Sequence, residues 1–200
     1  MITDSSLRER HKKFETGFLA ALQFLTVIPL RRDVTRREIG RSLAYFPIVG
    51  LGIGAALFGL DRLFDLFLPP ALGSALLIVA LVLFTGANHL DGFIDTCDGM
   101  VAHRTPQERL AIMRDSQVGG FGVVGACCLI LVKYVSLLFL PGAFRMAALL
   151  LMPTLGRWAM VYAIFAYPSA RSEGLGQAFK EQANWWRLVI ATLIAIAISV

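Results

Sequence analysis

Long apolar stretches separated by short charged intervals dominate this sequence of 200 residues. Hydrophobic residues make up 56% of the chain and charged residues 16%, and the mean hydropathy is +0.67. A helix that spans a bilayer needs about 20 predominantly apolar residues. The pattern therefore predicts an all-α fold, a polytopic integral membrane helical bundle that forms a single membrane domain over residues 1–200. The candidate spans lie at 43–60, 71–90, 119–140, 143–167 and 188–200.

The two ends of the sequence depart from this pattern. The last candidate span stops at Val200 while it is still apolar, after roughly 13 of the about 20 residues that spanning requires, so we expect a fragment truncated at its C-terminus. At the other end, a polar arm at 1–16 precedes a short apolar stretch at 17–30. That stretch is too short to span, and we predict an interfacial or re-entrant helix that ends at Pro29.

Basic residues are concentrated in alternate polar intervals. If each candidate segment spans once, most Lys and Arg side chains fall on one side of the membrane, and the other side has Arg62 and Arg145. Cytoplasmic loops are enriched in basic residues, so we predict a protein of the cell inner membrane in which this side faces the cytoplasm. The basic residues on that side are Arg8, Arg10, Lys12, Lys13, Arg31, Arg32, Arg36, Arg37, Arg41, Arg104, Arg109, Arg114, Arg171, Lys180 and Arg187.

A group of aspartates follows the second candidate span. On a helix that turns about 100° per residue, Asp95 lies roughly 40° from Asp91, and Asp98 lies roughly 20° away on the other side. All three therefore share one face. A fourth carboxylate, Asp115, follows a polar stretch. Carboxylates at the end of an apolar segment are costly unless a cation or a proton offsets their charge.

Oxygen ligands of this kind suit Mg²⁺, which usually bridges a few carboxylates to the phosphates of a substrate. We therefore predict that Asp91, Asp95, Asp98 and Asp115 form the Mg²⁺ site of a membrane enzyme that acts on a phosphorylated substrate. The alternative is that the aspartates only cap and solvate a helix end. We favour the metal site because three carboxylates on one face would repel one another.

Three further features carry two interpretations each. Arg157 lies in the middle of an apolar segment, where an unpaired guanidinium is costly, so we expect it to face the bundle interior and to pair with an aspartate or a substrate phosphate. Cys97 lies among the aspartates without a paired histidine nearby, and the glycines at 119–125 follow a polar stretch. For the glycines we favour close helix packing over a phosphate-binding loop, and for Cys97 we disfavour a role as nucleophile.

The aspartate motif also resembles a known family, the cobalamin synthases, which are adenosylcobinamide-GDP ribazoletransferases. The likeness depends first on the string His-Leu-Asp-Gly-Phe-Ile-Asp-Thr-Cys-Asp-Gly at 89–99, which is long and specific. Arg104 and the string Ile-Met-Arg-Asp-Ser at 112–116 follow, with Gly119 after them. The resemblance extends from about residue 18 to about residue 180, in the family's order, and its supporting stretches are 24–29, 46–50 and 171–176. Members of the family have further C-terminal membrane segments.

The resemblance implies a transferase of cobalamin biosynthesis. Its reaction joins α-ribazole, or its 5′-phosphate, to adenosylcobinamide-GDP with release of GMP, and it requires Mg²⁺. On this basis the aspartates hold the metal, and a neighbouring carboxylate or His89 accepts the hydroxyl proton. The resemblance further implies a lipid bilayer as environment and no nucleic-acid partner, and it leaves a homo-oligomer open. The residues that we assign to substrate binding are Arg104, Arg114, Arg157, Arg171 and Glu173.

Two other functions fit parts of the sequence. Asp95-x-x-Asp98-Gly99 is similar to the start of the CDP-alcohol phosphotransferase motif, but His103 stands where that motif has arginine, and its later aspartates are not found. A cation transporter would also need intramembrane carboxylates. A transporter, however, would have them in the middle of several segments, whereas these lie at one end. We therefore favour the ribazole transferase.

Overall fold

In the computed structural model, residues 4–30, 33–100 and 105–199 are described. Every regular element in these ranges is a helix, which confirms the all-α prediction. In chain order the elements are α1 (Asp4–Leu25), α2 (Arg36–Ser42), a 3-10 helix (Leu43–Tyr45), α3 (Phe46–Phe64), α4 (Pro70–Phe84), α5 (Asn88–Met100), α6 (Pro106–Ile112), α7 (Gly120–Leu138), α8 (Gly142–Ala166), α9 (Leu175–Glu181) and α10 (Trp185–Ser199).

Three helical stretches among the described residues are long and apolar enough to cross a membrane: Arg36–Phe64, Gly120–Leu138 and Gly142–Ala166. The first of them joins α2, the 3-10 helix and α3. The number of spans rises to five if each of two bent pairs, α4 with α5 and α9 with α10, counts as one span. Because several segments pass this test of length and composition, the prediction of a polytopic membrane helical protein is confirmed.

A sharp bend divides the segment at 71–90, which the apolar pattern predicts as one span. α4 ends at Phe84 and α5 begins at Asn88, and the two helices differ in direction by 90°. Between them, Gly86 has a φ of 60° and Ala87 a φ of 59°. Glycine adopts this left-handed conformation freely, whereas alanine does so at a penalty of about 1 kcal/mol. The candidate carboxylates therefore lie on a separate helix rather than at the end of a straight span.

The N-terminal helix also has different bounds from those predicted. α1 begins in the polar arm and ends at Leu25, so the predicted helix at 17–30 is shorter at its C-terminal end. The Thr26 hydroxyl donates to the Leu22 carbonyl at 2.7 Å just beyond the last turn. Proline pushes the residue before it toward extended backbone, which accounts for a helix that ends ahead of Pro29. Whether α1 lies at the membrane interface stays a prediction.

The chain divides into two compact units, and each is described by itself. Unit 1 comprises Met1–Gly59 and Met146–Val200, and unit 2 comprises Leu60–Arg145. Consequently α3 and α8 each contribute residues to both units. The single membrane domain expected from the sequence stays a prediction.

In unit 1, two glycines allow α3 to pack directly against the backbone of α8. A Cβ atom at Gly50 would lie 2.5 Å from the Pro153 carbonyl oxygen, and one at Gly54 would lie 2.7 Å from the Leu149 carbonyl oxygen. Such distances leave no room for any larger residue. A step of four residues forward along α3 corresponds to a step of four residues back along α8, so the two helices are antiparallel.

The short helix α9 packs within the same unit through aromatic and polar contacts. The ring of Phe46 lies 5.8 Å from that of Phe24 and 5.8 Å from that of Phe179. Phe46 and Phe179 are buried. Lys180 of α9 donates to the Phe165 carbonyl oxygen at 2.8 Å, in the last turn of α8. A cation at a helix C-terminus is favourable because the unpaired carbonyls there carry partial negative charge.

In unit 2, a buried ion pair joins the ends of several helices. Asp61 of α3 is 1% exposed, and its carboxylate accepts from Nε of Arg145 at 2.8 Å. The other two nitrogens of this guanidinium donate to the Leu137 carbonyl of α7 at 2.7 Å and to the Ser74 hydroxyl of α4 at 3.2 Å. Arg62 contacts the second oxygen of Asp61 at 2.8 Å. The cluster therefore ties α3, α4, α7 and α8 together with every nitrogen of Arg145 bonded.

Replacing Arg145 by methionine should destabilise the protein strongly. The change leaves the Asp61 carboxylate buried without its main partner, which typically costs about 3–5 kcal/mol. The double variant Asp61→Leu/Arg145→Met should lose less stability than Arg145→Met alone, because no charge is then stranded. Thermal unfolding of the purified protein in lipid nanodiscs measures both. Equal melting temperatures for Arg145→Met and wild type would contradict the ion pair.

Candidate active site

The string at 89–99 forms most of a single helix, α5. The helix begins directly after the bend, where the Asp91 N–H donates to the Ala87 carbonyl at 2.8 Å. Helical spacing then places Asp91, Asp95 and Asp98 on one face, one turn apart. Asp91 is exposed, and the other two are half-buried. The three carboxylates thus share one face of α5 as predicted, and this face is partly exposed on unit 2.

Asp98 has a specific partner at the start of α7. Its two carboxylate oxygens accept hydrogen bonds from the backbone N–H groups of Gly119 and Gly122, each at 2.8 Å. The first N–H groups of a helix have no partner inside the helix and carry partial positive charge, so a carboxylate there is favourable. Asp98 therefore caps α7 from a neighbouring helix. Each of its oxygens keeps a second lone pair, and its role as a metal ligand stays a prediction.

Glycines on α7 allow α5 to approach closely enough for this contact. A Cβ at Gly122 would lie 2.7 Å from Cγ2 of Ile94 and would also collide with the Asp98 carboxylate. A Cβ at Gly125 would lie 2.6 Å from Sγ of Cys97. The glycines at 119–125 thus serve packing, which is the interpretation that the sequence favoured, and Cys97 packs against Gly125. The first N–H groups of α7 bind a carboxylate of the protein itself.

The fourth carboxylate lies in the loop before α7. Asp115 is exposed, and its Oδ1 accepts from the Gln117 N–H at 3.1 Å, a turn-forming contact within the loop. The short helix α6 before it begins with a capping box, in which Thr105 and Glu108 each bond the other's backbone N–H. Asp115 is thus held by local contacts.

The described carboxylates do not form a closed metal cage. In the parts of the chain that the structure describes, no three His, Cys, Asp or Glu side chains come together closely enough to hold a metal ion. Mg²⁺, however, is usually bound by only one or two carboxylates together with water and substrate phosphates. Asp91 and Asp95, one turn apart on α5, fit that second mode. The donor set therefore suits a metal that binds together with its substrate.

The remaining predicted residues are distributed over both units. His89 is exposed in the first turn of α5, and Arg114 is exposed next to Asp115, so both belong to unit 2. Arg104 lies outside the described residues. Arg171 and Glu173 belong to unit 1, as does Arg157. The structure thus groups the predicted proton acceptor with the aspartates, and it assigns three of the predicted substrate-binding residues to the other unit.

In unit 1, the segment with Arg171 and Glu173 is a loop that ends at a glycine. Gly174, the residue before α9, has a φ of 102°, a conformation that side chains other than glycine rarely adopt. Arg171 is half-buried and Glu173 is exposed. The Ser169 hydroxyl donates to the Arg171 carbonyl at 2.7 Å and so braces the loop.

Unit 1 also contains a cavity of about 330 Å³. Its wall is mostly apolar, with a few polar side chains, which is the usual character of a small-molecule site. None of the predicted site residues lines it, so the cavity and the aspartate face are separate features. The lining residues are Ala20, Gln23, Phe24, Asp33, Val34, Ile39, Ser42, Leu175 and Phe179.

Two polar arrangements of unit 2 were not predicted from the sequence. One is the pairing of Asp98 with the backbone of Gly119 and Gly122, for which the closely spaced glycines were the available signal. The other is the Asp61–Arg145 ion pair. Both of its members flank apolar segments, and the rule that a charge within a membrane needs a partner could have led to them.

Comparison with known proteins places these features in a family context. The family model described as cobalamin-5-phosphate synthase matches residues 17–200. This range includes every predicted site residue. No solved structure matches the chain significantly.

Curated relatives named adenosylcobinamide-GDP ribazoletransferase match most of the chain. The protein from Geotalea daltonii is 39% identical over 90% of this chain and 73% of its own length. The protein from Desulfitobacterium hafniense is 40% identical over 82% of this chain and 68% of its own length. The protein from Alkaliphilus metalliredigens is 36% identical over 91% of this chain and 73% of its own length.

Replacing Gly122 by alanine should disturb the aspartate helix, whereas the same change at Gly120 should not. A methyl group at Gly122 meets Ile94 and the bonded Asp98 carboxylate, and overpacking of this kind costs about 1–3 kcal/mol. Nothing lies within 4 Å of a Cβ at Gly120, which makes it the matched control, with a change of about 0.5 kcal/mol at most. Thermal unfolding compares the two. Equal stability of both variants would refute the close contact of α5 with α7.

Proposed function

This chain belongs to the cobalamin-5-phosphate synthase family, and on that premise we propose that it is the transferase of the ribazole-transfer step in cobalamin biosynthesis. Its substrates are adenosylcobinamide-GDP and α-ribazole or its 5′-phosphate. The observation that carries the proposal is the match of the family model over residues 17–200. Of the three functions considered from the sequence, it is the one that agrees with the names of the relatives.

The proposed chemistry is a phosphoryl transfer that releases GMP. A ribose hydroxyl of α-ribazole attacks the phosphorus attached to cobinamide, and a new P–O bond forms. The P–O bond to the GMP phosphate breaks, and GMP leaves with the electron pair. The hydroxyl proton passes to a base. In such reactions the protein contributes mainly by positioning the two substrates and by stabilising charge.

The residues that perform this chemistry are those on the open face of α5. Asp91 and Asp95 would hold Mg²⁺, and Asp98 and Asp115 are the further predicted ligands. When bound, the metal neutralises charge on the diphosphate. The proton acceptor is a carboxylate of this face or His89, which lies in the first turn of the same helix.

Arginine and glutamate side chains account for substrate binding in this proposal. Arg104 and Arg114 follow the aspartate helix in sequence and supply positive charge for the diphosphate. Arg171 and Glu173 precede Gly174, where the backbone has no side chain and can approach a ligand closely.

We also propose that the protein lies in the inner membrane with the aspartate face on the cytoplasmic side. The support is the excess of basic residues in the polar intervals that share that side. Both proposed substrates are polar and water-soluble, so they can reach a cytoplasmic site without crossing the bilayer.

Replacing Asp91 or Asp95 by asparagine should reduce turnover at limiting Mg²⁺ by about 100-fold or more. Asparagine keeps the shape of the side chain but removes the charge that holds the metal. The test is release of GMP by full-length protein in nanodiscs, with thermal unfolding measured in parallel. Asp65→Asn is the matched control, because Asp65 is an exposed carboxylate of the same unit whose ion pair with Arg62 contributes little.

For this prediction, near-normal turnover of both Asp91→Asn and Asp95→Asn would show that the site is wrong. Asp98→Asn is informative in a different way. It removes one of the two oxygens that accept from the start of α7, so stability should fall together with turnover.

Topology can be tested by labelling single cysteines in intact cells. In a background without Cys97, Cys127 and Cys128, a cysteine at Gln107 or Gln177 should be protected from an impermeant thiol reagent, and one at Pro70 should react. Gln107 and Pro70 are exposed in the structure, so lack of access would reflect the membrane rather than burial. Reaction at Gln107 from outside the cell would reverse the proposed orientation.

A further inference from the structure

Arg157 of α8 is a buried cation that has no partner among the residues that the structure describes. The residue is 6% exposed. Its Nε and one terminal nitrogen, Nη2, are buried and have no hydrogen-bond partner among the described residues. A guanidinium always carries its charge and offers five N–H donors in a fixed plane. Leaving it buried without an acceptor opposes folding, so such an arrangement requires a reason.

Arg145, a half-buried arginine on the same helix, shows how such a charge can be satisfied within the protein. Arg145 donates from all three nitrogens to a carboxylate, a carbonyl and a hydroxyl. Among the described residues, the one buried carboxylate is Asp61, and it is already paired with Arg145 and Arg62. Arg157 therefore lacks the kind of internal partner that Arg145 has.

The position of Arg157 is set by the packing of α3 on α8. Gly54 lies against residues 149–150, and Gly50 lies against residues 153–154. Continued by one turn, this antiparallel register predicts that Arg157 is level with Phe46 and Pro47 of α3, both of which are almost fully buried. The guanidinium is thus held on the inner side of α8, within unit 1.

Polar groups close to Arg157 in sequence have other partners. The Thr154 hydroxyl donates to the Leu150 carbonyl at 2.7 Å. The Trp158 indole N–H donates to the Thr192 hydroxyl of α10 at 3.0 Å. Neither bond involves Arg157. The described residues therefore supply no acceptor for the two open nitrogens.

We infer that Arg157 is the anchor of an anion-binding site in unit 1 that takes phosphate oxygens. A planar guanidinium with two open nitrogens matches two oxygens of one phosphate group. For the identity of the ligand the inference rests on the proposed function, which supplies the diphosphate of adenosylcobinamide-GDP. A lipid headgroup phosphate offers the same chemistry, and the experiment separates the two sources.

The first measurement tests whether the guanidinium has a partner in the ligand-free protein. Arg157→Met and Arg145→Met are compared by thermal unfolding in nanodiscs of phosphatidylcholine alone. Arg157→Met should melt at the same temperature as wild type or a few degrees higher, because an unpaired buried charge is removed. Arg145→Met should melt at a clearly lower temperature. A similar loss in Arg157→Met would mean that a protein group pairs with Arg157, and the inference would be overturned.

The second measurement identifies the anion. Binding of adenosylcobinamide-GDP, and of pyrophosphate as a minimal probe, is measured for wild type, Arg157→Lys and Arg157→Met. Loss of charge-assisted hydrogen bonds should weaken binding by about tenfold to 100-fold in Arg157→Met. Arg157→Lys should bind more weakly than wild type because lysine cannot offer two parallel N–H groups. Binding of α-ribazole should be unchanged in all three proteins.

A lipid arm decides the source of the phosphate. If the ligand is a headgroup, adding phosphatidylglycerol should raise the melting temperature of wild type but not that of Arg157→Met, and substrate binding should be equal in both. If the ligand is the substrate diphosphate, the lipid effect should be equal and substrate binding should differ. No difference between the proteins in either arm would overturn the inference.

Failure of the anion site and failure of the proposed function give different results in these experiments. Normal turnover together with normal substrate binding in Arg157→Met would refute the anion site and leave the transferase intact. If wild type released no GMP while its binding of pyrophosphate still depended on Arg157, the proposed transferase function would be refuted and the anion site would be supported.

Discussion

The contact between Asp98 and the first N–H groups of α7 is the interaction on which unit 2 depends. It satisfies two backbone donors that have no partner inside α7, and it fixes the distance between α5 and α7. Glycine at 122 and 125 is required because α5 lies against the backbone there. On the same face of this helix, Asp91 is exposed and Asp95 is half-buried. The aspartate motif therefore has two physical roles, since Asp98 fixes the packing of α5 on α7 and Asp91 and Asp95 belong to the candidate site.

Two arginines of α8 differ in whether their guanidinium groups have hydrogen-bond partners within the protein. Both Arg145 and Arg157 lie on α8, within segments apolar enough for a membrane. Arg145 is bonded through every nitrogen to groups from three other helices, which suits a structural role. Arg157 keeps two buried nitrogens without an acceptor among the described residues. Stability alone does not account for that arrangement, because a methionine of similar size would be the more stable choice there. An anionic ligand that binds the folded protein would account for the two nitrogens without an acceptor.

Some helices of the fold could be predicted from local sequence and others could not. The apolar stretches that form α3, α7 and α8 are long, so these helices could be predicted from hydropathy. The bend between α4 and α5 could not be predicted in this way, because the apolar pattern continues through the bend. A lone glycine at 86 is a weak signal for a bend. The end of α1 at Leu25 rather than near Pro29 was also missed. There the effect of the proline reaches back along the chain, beyond the ring itself.

The sequence by itself determined the class of the protein, its helices and the common face of Asp91, Asp95 and Asp98, because hydropathy and helical periodicity are local properties. The specific string at 89–99 also pointed to the family. Only the tertiary structure decided that Asp98 caps α7, that Asp61 pairs with Arg145 and that Arg157 has open nitrogens. Each of these facts depends on groups that are distant in sequence and meet only when helices pack, such as Asp98 and Gly119 or Asp61 and Arg145. A hydrogen-bond partner is a property of the packed chain, which local pattern does not contain.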